Sequence, residues 1–116
     1  MYKFMIVDDD KLVRERIRSA IPLKELDLEL CAEAEDGMMA LECFERFLPH
    51  IVILDINIPL MDGIEVAKQI VSTNIDTNII MVTGFGTVEF ARDAIRSGVV
   101  DFLLKPIDFE ELEAVL

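Results

Sequence analysis

Apolar positions along the chain come in two alternating kinds. Short unbroken runs, Phe4-Met5-Ile6-Val7, Ile51-Val52-Ile53-Leu54 and Ile79-Ile80-Met81-Val82, carry no polar residue at all. Runs of that length and branching predict strands buried on both faces, as in a parallel sheet. Between them apolar residues recur at helical spacing: Leu12, Val13, Ile17, Ala20 and Ile21; then Met38, Ala40, Leu41, Phe44 and Leu48; then Ile64, Val66, Ala67, Ile70 and Val71; then Val88, Phe90, Ala91, Ala94 and Ile95. A loop through Pro22 leads to Leu28-Leu30-Ala32, a second strand. Val99-Val100 and Phe102 to Leu104 predict a fifth, broken by Lys105-Pro106. Asp36-Gly37 opens the second helix and Gly98 stops the fourth. A last helix starts at Asp108 or Phe109, and the sequence stops inside it, as a cut-out of a longer protein would. Strands alternating with helices in this way predict βαβ units: a single α/β domain with a five-stranded parallel sheet and helices on both faces.

Composition narrows the function. Hydrophobic residues make up 53% of 116 positions, which argues against disorder. Asp and Glu number 23 against 11 Lys and Arg, a net charge of −12. Such a chain repels phosphate backbones and anionic membranes, so direct nucleic-acid binding is not expected of it. The start, MYKFMIVDDD, turns acidic too early for a signal peptide, and no apolar run reaches the roughly 18 residues of a spanning helix. A soluble, cytoplasmic protein is expected. Cys31 and Cys43 lie in apolar surroundings without CxxC spacing and read as buried free thiols.

The polar residues missing from the strands collect at one edge. In open α/β sheets, sites form beyond the carboxyl ends of the strands. Asp8, Asp9 and Asp10 follow the first strand, Asp55 the third, Thr83 the fourth and Lys105 the fifth. Carboxylates converging there repel one another unless a cation joins them, and oxygen-only ligands suit a hard ion such as Mg²⁺. A metal, an ammonium and a hydroxyl around one carboxylate suit an incoming phosphoryl group, whose charge spreads over three oxygens, and Asp can act as its nucleophile. Taken singly each residue has a plainer reading: a helix cap for the acids, which Asp10 fits best, a strand-end threonine, a turn lysine. Their joint placement at four strand ends favours the site.

These residues resemble the receiver domain of two-component response regulators over essentially the whole chain. The matching stretches are Met5-Ile-Val-Asp-Asp-Asp10, Val52-Ile-Leu-Asp-Ile-Asn-Ile-Pro-Leu-Met-Asp-Gly63, Met81-Val-Thr-Gly84 and Asp101-Phe-Leu-Leu-Lys-Pro106. The resemblance implies a flavodoxin-like fold with strand order 2-1-3-4-5. It implies Asp55 as phosphoacceptor from a sensor histidine kinase. Mg²⁺ would be held by Asp9, Asp55 and the backbone carbonyl of Asn57, with Asp8 acting through water. Lys105 would pair with phosphoryl oxygens, its bond to Pro106 cis, while Thr83 and Phe102 form a switch pair and Asn57 and Phe85 tune the phosphoryl lifetime. A finer likeness, to receivers that precede AraC-type helix-turn-helix domains, rests on Ile21-Pro-Leu-Lys-Glu-Leu-Asp27, Thr83-Gly-Phe85, Glu89-Phe-Ala91 and Val99 to Pro106. It implies a C-terminal output domain and transcription control, while the receiver resemblance itself implies a homodimer on phosphorylation.

Competing readings are weaker. A haloacid-dehalogenase-like phosphatase also uses Mg²⁺ and an aspartyl nucleophile, but wants a second acid where Asn57 stands, and there is no room for its cap domain. A protein-binding pseudo-receiver would have lost an acid or the lysine. The acidic run lacks the spacing of an EF-hand, and no GxGxxG or P-loop supports nucleotide binding. His50, the sole histidine, reads as an exposed loop residue. Met38 and Met39 would fill or fringe the core, and Phe90 and Ile95 serve the core or a partner surface.

Overall fold

The computed structural model describes the backbone of residues 2–73, 76–83 and 99–104, and the side chains of these up to Val82. Within them the order is β1 (Tyr2–Val7), α1 (Lys11–Ala20), β2 (Leu28–Ala34), α2 (Gly37–Phe47), β3 (Ile51–Asp55), α3 (Gly63–Ser72), β4 (Asn78–Thr83) and β5 (Val99–Leu104). The strands form one five-stranded sheet in the order β2-β1-β3-β4-β5. Every neighbouring pair runs parallel. The helices expected around Val88 to Ile95 and from Asp108 onward lie outside the described residues, as do Gly84, Phe85, Lys105 and Pro106.

The strand runs are apolar throughout because each strand serves two cores. Successive side chains leave a strand on opposite faces. Met5, Val7, Val52, Leu54, Ile79 and Met81 therefore pack on one face with Ala40 and Phe44 of α2 and Ile64, Val66, Ala67 and Ile70 of α3. Phe4, Ile6, Ile53, Ile80 and Val82 pack on the other with Ile17 and Ile21 at the end of α1. Fully burying a side chain of this size stabilises the fold by about 1.5–3 kcal/mol. Edge strand β2 fully buries only Leu28 and Ala34 of its apolar residues.

Each of the described helices starts on an aspartate. The Asp10 carboxylate accepts from the Leu12 N–H at 2.9 Å, Asp36 from Met39 at 2.7 Å and Asp62 from Glu65 at 2.9 Å. Such caps contribute about 0.5–2 kcal/mol each. The apolar stripes are narrower than the sequence pattern predicts. Val13, Ile17 and Ile21 share a face, but Leu12 lies five residues before Ile17, about 140° round the helix, and is 68% exposed; Ala20, on the flank, is exposed too. Met38 stands about 160° from Ala40 on α2 and is exposed, and Met39 with it. Leu48 caps α2 in a left-handed conformation (φ 46°) and points outward. Val71 of α3 is exposed as well, and Cys31 and Cys43 are free but half-buried rather than buried.

Candidate functional site

Register brings the acids level. Val7 pairs with Leu54 across β1 and β3, so Asp8 and Asp55 stand side by side at the carboxyl edge. Chain order reverses between these strands, since β1 leads outward to β2 and β3 leads the other way. Crevices open where parallel sheets make that reversal. Asp8, Asp9 and Asp55 each direct a carboxylate oxygen into it, and these atoms lie within 4.8 Å of one another. Asp8 and Asp55 are only 2% exposed, while Asp9 faces solvent.

Backbone amides orient two of the three. Asp8 Oδ1 accepts the Asp10 N–H at 2.9 Å. Asp55 Oδ1 accepts the Asn57 N–H at 3.2 Å. Asn57, expected to lend its carbonyl to a cation, is exposed two residues beyond Asp55. Oxygen donors alone, and three anions at this spacing, fit a hard divalent cation better than a softer metal.

The floor of the site depends on glycine. A Cβ at Gly63 would lie 2.7 Å from the Ile56 Cα and 3.0 Å from the Asp55 carbonyl carbon, and closer still to the Asp55 carbonyl oxygen. The Gly63 N–H also donates to the Ile56 carbonyl at 2.8 Å, drawing α3 against the end of β3. Gly37 sits as tightly over the backbone of Met61, and its N–H donates to the Pro59 carbonyl at 3.1 Å. The β3–α3 loop is thus held from both sides. At its tip Leu60 takes φ 70° and is 79% exposed.

Two of the other expected site residues are placed by their backbones. Val82 pairs with Asp55, so Thr83 stands one step beyond Asp55 on β4, and Phe102 pairs with Met81. Their side chains, with Lys105 and Phe85, lie outside the described residues. His50 is exposed, at the opposite edge of the sheet. There it accepts the Lys3 N–H on Nδ1 at 2.9 Å and meets the Tyr2 ring edge-on at 5.3 Å. Sequence patterning passed over Arg14, which reads as one of several cations on an amphipathic helix. Its Nη1 donates to the Asp8 carbonyl at 2.6 Å and its Nε to Glu33 Oε1 at 3.2 Å. The Cys31 and Cys43 thiols are pushed above their ordinary 9.0, chiefly by burial.

A three-layer parallel α/β fold with an acidic triad at the β1/β3 switch point defines a class of signalling domain. The chain belongs to the response regulator receiver domain family, whose family model matches residues 4–116. It is 32% identical over 116 residues to the transcriptional regulatory protein HptR of Staphylococcus aureus, a match that covers 100% of this chain and 45% of that protein. Among solved structures, the REC domain of AraT, a response regulator from Geobacillus stearothermophilus, is similar with a TM-score of 0.91 and 38% identity over 98% of this chain and 88% of that one. A two component transcriptional regulator AraC from Clostridium phytofermentans gives a TM-score of 0.92 and 30% identity over 100% of this chain and 90% of that one. The finer likeness to AraC-type regulators agrees with that neighbour. This chain spans under half the length of HptR, and among its described residues no helix is long and apolar enough to cross a membrane.

Proposed function

We propose that this domain is a phosphorylation-driven switch in which Asp55 accepts a phosphoryl group from the phosphohistidine of a sensor histidine kinase. The carrying observation is the triad itself: a nearly buried Asp55 carboxylate beside Asp8 and Asp9, all within 4.8 Å. In the transfer an Asp55 oxygen forms a bond to phosphorus while the bond from phosphorus to the donor imidazole nitrogen breaks, and the imidazole leaves with the electron pair. Asp9, Asp55 and the Asn57 carbonyl would hold Mg²⁺, with Asp8 acting through water; the ion, when bound, offsets the charge gathering on the phosphoryl oxygens. Burial of Asp55 keeps bulk water from the acyl phosphate, and the amide of Asn57 fixes the plane of the attacking carboxylate.

Lys105 pairs with the phosphoryl oxygens, and Thr83 turns to hydrogen-bond them while Phe102 moves inward, a local charge change biasing a two-state element. Asn57 and Phe85 set how readily water reaches the acyl phosphate. The domain acts in the cytoplasm, dimerises on phosphorylation and controls a C-terminal DNA-binding output domain. Support for this last step is the company of transcriptional regulators among relatives that extend well beyond this chain. The test is intact mass after incubation with acetyl phosphate. One phosphoryl addition is expected with Mg²⁺ and none in EDTA or in Asp55→Asn. Equal addition to wild type and Asp55→Asn would overturn the reading.

A further inference from the structure

Of the three acids, Asp9 is held least directly. Backbone amides fix Asp8 and Asp55, but among the described residues no hydrogen bond reaches the Asp9 carboxylate, which is exposed. Its aim into the triad is set by the backbone from which it leaves. The Asp8 carbonyl and the Asp9 amide belong to one planar peptide unit, so whatever directs that carbonyl directs the plane and the departure of Asp9.

That carbonyl accepts a hydrogen bond from Arg14. Arg14 stands one turn into α1, its N–H bonded to the Asp10 carbonyl at 3.1 Å. The side chain is 13% exposed and its guanidinium is spent at both ends, Nη1 on the Asp8 carbonyl at 2.6 Å and Nε on Glu33 Oε1 at 3.2 Å. Glu33 is itself fixed: from β2 it pairs with Ile6 of β1, and its Oε2 accepts from Arg18 Nη1 at 2.7 Å. One residue on, the Ala34 carbonyl accepts the Asp8 N–H at 3.0 Å. Asp8 is therefore gripped on its amide by β2 and on its carbonyl by α1, through an arginine that β2 also orients. A planar fork can serve both acceptors at once, which a lysine ammonium on its flexible stem cannot reproduce.

We infer that Arg14 is a positioning residue for the cation site, aiming Asp9 through the Asp8–Asp9 peptide. The inference rests on the Mg²⁺ reading above, and it carries a sign that charge alone contradicts. A guanidinium near a cation site repels the cation, so on charge alone its removal tightens binding. On the positioning argument its removal loosens binding. Glu33 decides between them, because its carboxylate in contact with the guanidinium offsets the repulsion and leaves the geometric effect dominant.

The experiment is calorimetric titration of Mg²⁺ into wild type, Arg14→Met and Arg14→Lys, with thermal unfolding confirming that each is folded at the titration temperature. Groups that orient metal ligands typically change affinity by 10- to 100-fold. Arg14 acts through backbone, so about tenfold weaker Mg²⁺ binding is expected for Arg14→Met and at least about threefold for Arg14→Lys. Acetyl phosphate labelling of both variants is expected to return to within about twofold of wild type once Mg²⁺ saturates, because Asp55 is untouched. Mg²⁺ affinity equal to or tighter than wild type in a folded variant overturns the inference, as does labelling that stays depressed at saturation with an unchanged Kd. If Arg14→Met does not fold, Arg14→Lys alone decides it. A wild-type domain that binds no Mg²⁺ removes this inference together with the reading beneath it.

Discussion

Gly63→Ala places a methyl group where the end of β3 already stands. The added carbon would meet three backbone atoms, the Ile56 Cα at 2.7 Å, the Asp55 carbonyl carbon at 3.0 Å and the Asp55 carbonyl oxygen nearer still. No rotamer change relieves contacts with main chain, so α3 must back away from the sheet. That movement strains the 2.8 Å bond from the Gly63 N–H to the Ile56 carbonyl and loosens the packing of Ile64 and Ala67 beneath it. Overpacking costs about 1–3 kcal/mol and a weakened buried hydrogen bond about 1 kcal/mol. Alanine recovers up to about 1 kcal/mol of helix propensity. The net expectation is a loss of about 2 kcal/mol, or roughly 8 °C in a domain of this size. Urea unfolding followed by circular dichroism measures it, with Ser19→Ala on the exposed side of α1 as a control expected to change little. Because the displaced atoms belong to Asp55, phosphoryl uptake should fall as well. A Gly63→Ala unfolding midpoint at or above wild type would refute the close-approach argument.

Two further outcomes follow from local geometry. Leu60 holds φ 70° with no packing to justify it, a conformation that costs a non-glycine residue about 1–2 kcal/mol. Leu60→Gly should therefore raise the unfolding free energy by about 0.5 kcal/mol after glycine's greater unfolded-state entropy is subtracted, seen as a higher urea midpoint with m unchanged, and a lowered midpoint would contradict the strain. For the thiols, burial raises Cys31 and Cys43 above 9.0 in the folded chain, so less reactive thiolate forms at a given pH. Iodoacetamide labelling at pH 8 should be several-fold slower than in urea, and equal rates would contradict the burial. The linkage has a definite sign: the neutral thiols favour the folded state, so their contribution is complete below pH 9.0 and is lost as pH rises through their raised values.

Much of this was legible because parallel strands buried on both faces leave an unmistakable run of apolar residues. The β3 run ends in Asp55 and β1 in Asp8, and strand order alone then brings those acids to one crevice. Helical faces were less legible. Leu12 and Met38 count as apolar in any pattern, yet each sits more than a quarter-turn from the buried stripe, and only the packed helix says which side faces the sheet. The left-handed Leu60 gives no sign in sequence, where glycine or asparagine would have marked such a turn. Arg14 was illegible for a different reason. Its role depends on Glu33, 19 residues away on an edge strand, and on a main-chain carbonyl that carries no side-chain signature.

The central claim is that one carboxylate, Asp55, becomes the acyl phosphate. The most direct measurement treats the domain with acetyl phosphate and Mg²⁺, reduces it at once with borohydride, and maps the product by peptide mass. An acyl phosphate is reduced to the alcohol, so the modified aspartate becomes homoserine at its own position. Homoserine is expected at position 55 and at no other aspartate, and at none when Mg²⁺ is withheld. Homoserine at position 8, 9 or 10 instead, or a labelled domain with none at 55, would contradict it.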